Sequence, residues 1–172
     1  MSCLPNTPIA YDERTSGWVQ FTAPDLTGLA QYEPLSATVL TLPLIAEASE
    51  QVVLITQFMI REYATSGLTS NALAIHLWDV SGVTAPTLGV VYDPSTTNYV
   101  GQIAIATADF VRVSTTVREA TVKPNLRYVT ASDATSVNLY AVALFTGATP
   151  TTLHSSHAYY ANVFTQLAQT TS

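Results

Sequence analysis

A single lysine, Lys123, and five arginines make only six cations against twelve carboxylates, a net charge of −6. Proteins that grip nucleic acid through phosphates need many cations, because each neutralised phosphate contributes separately. No Lys/Arg run occurs, so direct nucleic-acid binding is not expected. Charged residues amount to 10% of the chain, against roughly 25% in an ordinary soluble domain. Hydroxyls take their place, with 26 Thr and 14 Ser. The lone cysteine, Cys3, excludes an internal disulfide. The opening "MSCLPNTPIA" has neither the charged nor the apolar region of a secretory signal. No apolar run approaches the ~18 residues of a membrane helix, and none of the six Asn residues begins an N-x-Ser/Thr sequon. Synthesis in the cytosol without membrane association is the expectation.

Recognisable catalytic motifs are equally scarce. The chain has no G-x-S-x-G elbow, no H-E-x-x-H, no phosphate-binding glycine loop and no C-x-x-C. Cys3 has no neighbouring base to activate it. His154 and His157 in "HSSH" are three apart, but a metal needs further ligands and the nearest upstream acid is Asp133. His76 sits between Ile75 and Leu77 and reads as a satisfied core or interface histidine. The carboxylates fall mostly at strand ends and turns, where Asp is expected without a chemical role, and nothing selects an opposed pair. No catalytic residue, metal or cofactor is therefore assigned, and a non-enzyme is expected.

Strand signals dominate what is present. Thr, Val and Tyr favour strands, while the surface helix formers Lys and Glu are rare. Residues 1–35 carry Pro5, Pro8, Pro24 and Pro34 and read as an extended N-terminal arm, with "GWVQFT" as a short strand and Trp18 as an apolar anchor. From 36 to 147 strand-length segments alternate with turns: "SATVLTLPLI", "QVVLITQFMIREY", "NALAIHLWDV", "TLGVVY", "YVGQIAIAT", "FVRVSTTVR", "LRYVTA" and "VNLYAVALF". Pro43 marks the first as an edge strand or a bulge. The second is apolar on both faces at its start, as in a strand covered on both sides. Short strands about 8 to 14 residues apart, without crossover helices, predict an all-β antiparallel sandwich of jelly-roll type. Residues 148–172 form a tail whose Tyr160, Phe164 and Leu167 sit at i, i+4 and i+7, the spacing of a short helix near 156–168, with an extended course as the alternative.

Candidate contact residues follow from this pattern. In "FVRVSTTVR" (110–118) the valines alternate with Arg112 and Arg118, so one outward strand with a polar, basic face is predicted. Four of the six cations, Arg112, Arg118, Lys123 and Arg127, lie within 112–127. They form a candidate patch for an acidic partner or a neighbouring subunit, against the plainer reading of a solvated strand that discourages edge aggregation. Trp18, Tyr159, Tyr160 and Phe164 are candidate contacts in the two arms. Tyr92 and Tyr99, around the turn "DPSTTN", are candidate sugar-stacking residues, against the plainer reading that they pin a hairpin.

The succession "QVVLITQFMI", "NALAIHLWDV", "YVGQIAIAT", "FVRVSTTVR", "LRYVTASDATSVNLYAVALF" resembles the jelly-roll modules of viral and bacteriophage structural proteins. These include capsid decoration proteins, minor capsid proteins and fibre knobs. The resemblance lies in strand order and style over residues 36–146, with no diagnostic motif. It implies a virion protein made in the host cytoplasm, a homotrimer or other symmetric oligomer, that binds a major capsid or tail protein. One departure is the lack of the basic terminal arm that many shell-forming relatives direct at the genome. A carbohydrate- or receptor-binding module is the alternative.

Overall fold

The computed structural model describes residues 11–22, 26–43, 45–46, 50–65, 68–130, 138–149, 151–153 and 157–168. They form thirteen strands: β1 (Tyr11–Thr15), β2 (Val19–Thr22), β3 (Leu26–Leu29), β4 (Leu40–Leu42), β5 (Val52–Tyr63), β6 (Leu73–Trp78), β7 (Tyr99–Ile105), β8 (Phe110–Arg112), β9 (Val117–Val122), β10 (Leu126–Val129), β11 (Leu139–Phe145), β12 (Thr151–Leu153) and β13 (Ala158–Ala168). One 3₁₀ turn, Thr107–Asp109, is the only helical element among the described residues.

Two sheets make the sandwich. One runs β4-β11-β6-β7. The other runs β1-β13-β5-β9-β8, with β2 also on β13 and β10 also on β5. β3 and β12 form a small ribbon of their own. β1 with β2, and β9 with β10, each act as one interrupted strand. Eight strands then nest as one long hairpin: first with last, second with seventh, third with sixth, and fourth with fifth. A nested hairpin rolled into two four-strand layers is a jelly roll, as the sequence predicts.

Periodicity explains the layering. In β5, Val53, Ile55, Phe58 and Ile60 point inward and are fully buried. They meet Leu73, Ile75 and Leu77 of β6, Ile103 and Ile105 of β7, and Val163 and Leu167 of β13. Each such side chain contributes about 1.5–3 kcal/mol by leaving water. β6 is buried at every position, and β4, closed off by Pro43, is an edge strand.

Four segments depart from the sequence expectation. "FVRVSTTVR" is a hairpin and not one strand: Val113 and Ser114 both donate to the Val117 carbonyl, and β8 turns back onto β9. The Ser-Thr-Thr hydroxyls supply turn chemistry, with the Ser114 hydroxyl accepting from the Thr116 amide. "TLGVVY" forms no strand, because Gly89 adopts φ +71° and the segment lies as a loop. The tail takes its extended course: helical spacing at Tyr160, Phe164 and Leu167 gives way to inward alternation of Tyr159, Ala161, Val163, Thr165 and Leu167 in β13. Finally, β1 and β2 are integral strands on β13, within the stretch read as an N-terminal arm. Prolines 8 and 24 lie outside these strands and so do not interrupt them.

Candidate functional site

The densest buried polar cluster lies at the Tyr63 end of β5. Glu62 is fully buried and faces inward in line with Phe58 and Ile60. Its Oε1 accepts from the Thr69 amide and the Thr69 hydroxyl, both at 2.8 Å, and its Oε2 accepts from the Ser70 amide at 3.0 Å. Fully buried His157, just before β13, places Nε2 3.6 Å from Oε1. Asn71 donates to Thr69 Oγ1 and to the Tyr159 hydroxyl, and Arg118 donates to the Ser70 hydroxyl. Burial and the nearby Glu62 carboxylate raise the Tyr159 hydroxyl pKa, while its hydrogen bonds to Asn71 and Thr69 pull it back. A buried carboxylate with both oxygens occupied cannot meet a substrate; here it fastens Thr69 and Ser70 to the sheet. No motif signals this cluster, because its members come from separate stretches of the chain, at 62, 69–71, 118 and 157–159.

A second group, His76, Trp78, Tyr92 and Tyr99, sits on the outer face of the four-stranded sheet. The Tyr99 hydroxyl pairs with His76 Nδ1 at 2.9 Å, and the Tyr92 hydroxyl donates to the Thr84 carbonyl at 3.0 Å. Both tyrosines meet the Trp78 ring edge-on, at 5.5 and 6.4 Å, and Trp78 donates to the Ser95 carbonyl. Burial lowers the His76 pKa and raises those of both tyrosines. The loop between β6 and β7 thus covers Trp78, Val142 and Leu144. Tyr92 and Tyr99 both lie against Trp78, and their hydroxyls serve this cover.

The four candidate cations do not make one patch. Arg118 and Arg127 stand opposite Glu62 and Leu54 of β5, about 26 Å apart at the rise of a strand. Arg112 and Arg118 are direct cross-strand partners on β8 and β9, while Lys123 is exposed beyond the far end of β9. Among the arm aromatics, Tyr159 is a core residue stacked on Phe21 at 5.6 Å, so it is no contact for a partner. Tyr160 and Phe164 are half-buried on the outward face of β13. Trp18 is exposed and lies 4.2 Å from the Arg61 guanidinium, which pairs with Glu119 at 2.6 Å. Cys3, Asp133 and His154 lie outside the described residues.

Two pairs of valines are exposed, and one of them, Val111 and Val113, belongs to the apolar side of the alternation in "FVRVSTTVR". Val90 and Val91 are 54% and 60% exposed, and Val111 and Val113 are 67% and 61% exposed. On the β8–β9 hairpin the two faces differ: Val111 stands opposite Glu119, and Arg112 stands on the other face, opposite Arg118. Asp93 follows the first pair, and Arg112 lies between the second; both charges are exposed and neither has an ion-pair partner among the described residues. Both pairs stand beside turn residues, in "LGVVYDP" and "VRVST".

The two pairs occupy opposite edges of the sandwich. Tyr92 donates to the Tyr32 carbonyl, and residues 32–35 run along β11 on the side that β4 occupies. The β8–β9 hairpin is the far edge, where β9 packs against β7. From the 32–35 segment across β11 and β6 to β7 is three strand spacings, about 14 Å, and β8 lies beyond β9 again.

No protein-family model matches the chain, and no curated protein matches it significantly. Among solved structures, a chain from Desmodium yellow mottle tymovirus aligns at TM-score 0.31 and 11% identity, covering 100% of this chain and 98% of that one. A chain from the three-dimensional structure of Cocksfoot mottle virus aligns at TM-score 0.30 and 8% identity, covering 100% and 93%.

Proposed function

We propose that this protein is a virion structural component, without catalysis, that self-associates into a symmetric assembly. The observation that carries the reading is a two-layer jelly roll with few surface charges to hold copies apart and with Val90, Val91, Val111 and Val113 exposed to solvent. The jelly roll is an architecture of capsid domains, and also of lectins and cupins. The lectin-type alternative rested on Tyr92 and Tyr99, whose hydroxyls are committed within the chain. The sealed environment of Glu62 and His157 supports a role without chemistry at that cluster. The partner is first another copy, and second a major capsid or tail protein. Decoration, minor-capsid and fibre roles all fit this reading.

Sedimentation velocity with light scattering on the purified chain, followed by particle imaging, tests it. Concentration-dependent assembly of defined symmetry is expected. A strict monomer at millimolar concentration overturns it.

A further inference from the structure

We propose that the cavity beside the Thr69–Asn71 segment is a binding site for a neutral saccharide, a pyranose held by its hydroxyls. The cavity, of about 310 Å³, is at the small end of the range for small-molecule sites. Thr69, Ser70, Asn71, Thr107 and Thr149 supply its polar wall and Phe145 an apolar section, and none of its lining residues is charged. Two of the polar side chains are buried yet have hydrogen-bonding capacity left. Asn71 is 7% exposed, and its Nδ2 commits both hydrogens, one to Thr69 Oγ1 and one to the Tyr159 hydroxyl. Its Oδ1 accepts no hydrogen bond from the described residues. Ser70, 3% exposed, accepts at Oγ from Arg118, which leaves its hydroxyl proton to donate.

That combination of one acceptor and one donor selects the ligand. One saccharide hydroxyl donates to Asn71 Oδ1 and another accepts from Ser70, while the exposed Thr107 and Thr149 hydroxyls can do either. An apolar ligand would leave both buried groups unpaired, and an anion would face the Asn71 oxygen with no cation in the wall. The wall is also fixed in advance. Glu62 holds the Thr69 and Ser70 amides, and Thr69 with Tyr159 holds the Asn71 side chain. Ser70 sits at φ +50°, a left-handed conformation that is strained for a residue with a Cβ and is concentrated at ligand sites. Groups held this way lose little freedom when a ligand binds. Buried Glu62 thereby acts as a positioning residue, although it does not itself meet the ligand. The site lies past the Ile105 end of β7, whereas Tyr99 begins that strand.

The test is an NMR titration of the full, isotope-labelled chain with glucose, galactose and N-acetylglucosamine, and with phosphate as the anionic control. Saturable shifts at residues 69–72, 107 and 145–149 are expected with at least one sugar, with a dissociation constant on the order of millimolar. Ala148→Trp, at an exposed position of the rim, fills the cavity and should weaken binding at least about tenfold with the fold intact. Asn71→Leu should weaken it as much; if that variant fails to fold, Ala148→Trp decides. No saturable shift with any of the three sugars up to about 0.1 M overturns the inference. Shifts centred on 92–99, or undiminished binding in Ala148→Trp, overturn the placement of the site, and phosphate binding in place of sugar overturns the ligand class. A strictly monomeric chain that binds sugar overturns the reading of self-association and leaves this site standing.

Discussion

Glu62 and Arg118 occupy directly opposed positions on β5 and β9, yet each turns to the Thr69–Ser70 segment instead of to the other. Glu62 accepts from the Thr69 and Ser70 amides, and Arg118 donates to the Ser70 hydroxyl. The two charges therefore meet at Ser70, Glu62 accepting from its amide and Arg118 donating to its hydroxyl. That arrangement closes the end of the sandwich.

Removing the carboxylate leaves the buried Ser70 amide and the half-buried Thr69 amide and hydroxyl without their acceptor, and His157 without its neighbour. Glu62→Ala should cost about 3 kcal/mol, and Glu62→Gln less, since one oxygen remains. Urea titration checks this. A loss under about 0.5 kcal/mol would show that the loop is held by something else.

Burial lowers the His76 pKa below its usual 6.5, so the unfolded chain binds the proton more readily than the native one. The neutral ring's contribution is complete above about pH 6.5 and is lost as pH falls from there through the folded-state pKa. Tyr99 accepts or donates at Nδ1 in the native pairing. Melting temperatures should therefore fall between pH 7.5 and 5.5 more steeply for wild type than for His76→Gln. Parallel slopes for the two proteins would refute the assignment.

Gly101 has φ +152°, and a Cβ placed there would lie 2.9 and 3.0 Å from the methyl carbons of Leu126. It falls beside the bulge between Leu77 and Trp78, where β7 approaches β10 across the sandwich. Gly101→Ala should cost about 1–3 kcal/mol from overpacking and strain, measured by chemical denaturation. The companion change Leu126→Ala should relieve part of the overpacking, giving a double variant less destabilised than the sum of the singles.

Adjacent tyrosines on β13 have opposite roles. Tyr159 is fully buried against Phe21, and Tyr160 is half-buried on the outer face. Tyr159→Ala should cost about 3–5 kcal/mol, whereas Tyr160→Ala should stay within about 1 kcal/mol. Equal losses would place the wrong face inward.

The register that produces this contrast was only partly legible. Strand-rich composition, turn spacing, the doubly apolar start of β5 and the edge character of β4 beside Pro43 all follow from local chemistry. β13 was ambiguous, because residues four apart share a face in a strand as well as in a helix. Tyr160 and Phe164 could satisfy either period. The split of 110–118 was hidden for a similar reason: alternation persists across a tight hydroxyl-rich turn, so period two alone does not locate the reversal.

Sequence by itself determined an all-β, charge-poor, hydroxyl-coated chain, because propensity, turn chemistry and cation count act residue by residue. Only the tertiary structure decided which polar groups are sealed and which apolar ones face water. It drew Glu62, His157 and Arg118 to one end, scattered the four cations of 112–127, and set Val90–Asp93 and Val111–Val113 on opposite edges. Those outcomes depend on pairings between residues far apart in the chain, such as β5 with β13 and β6 with β11, and no local pattern encodes the partner of a strand.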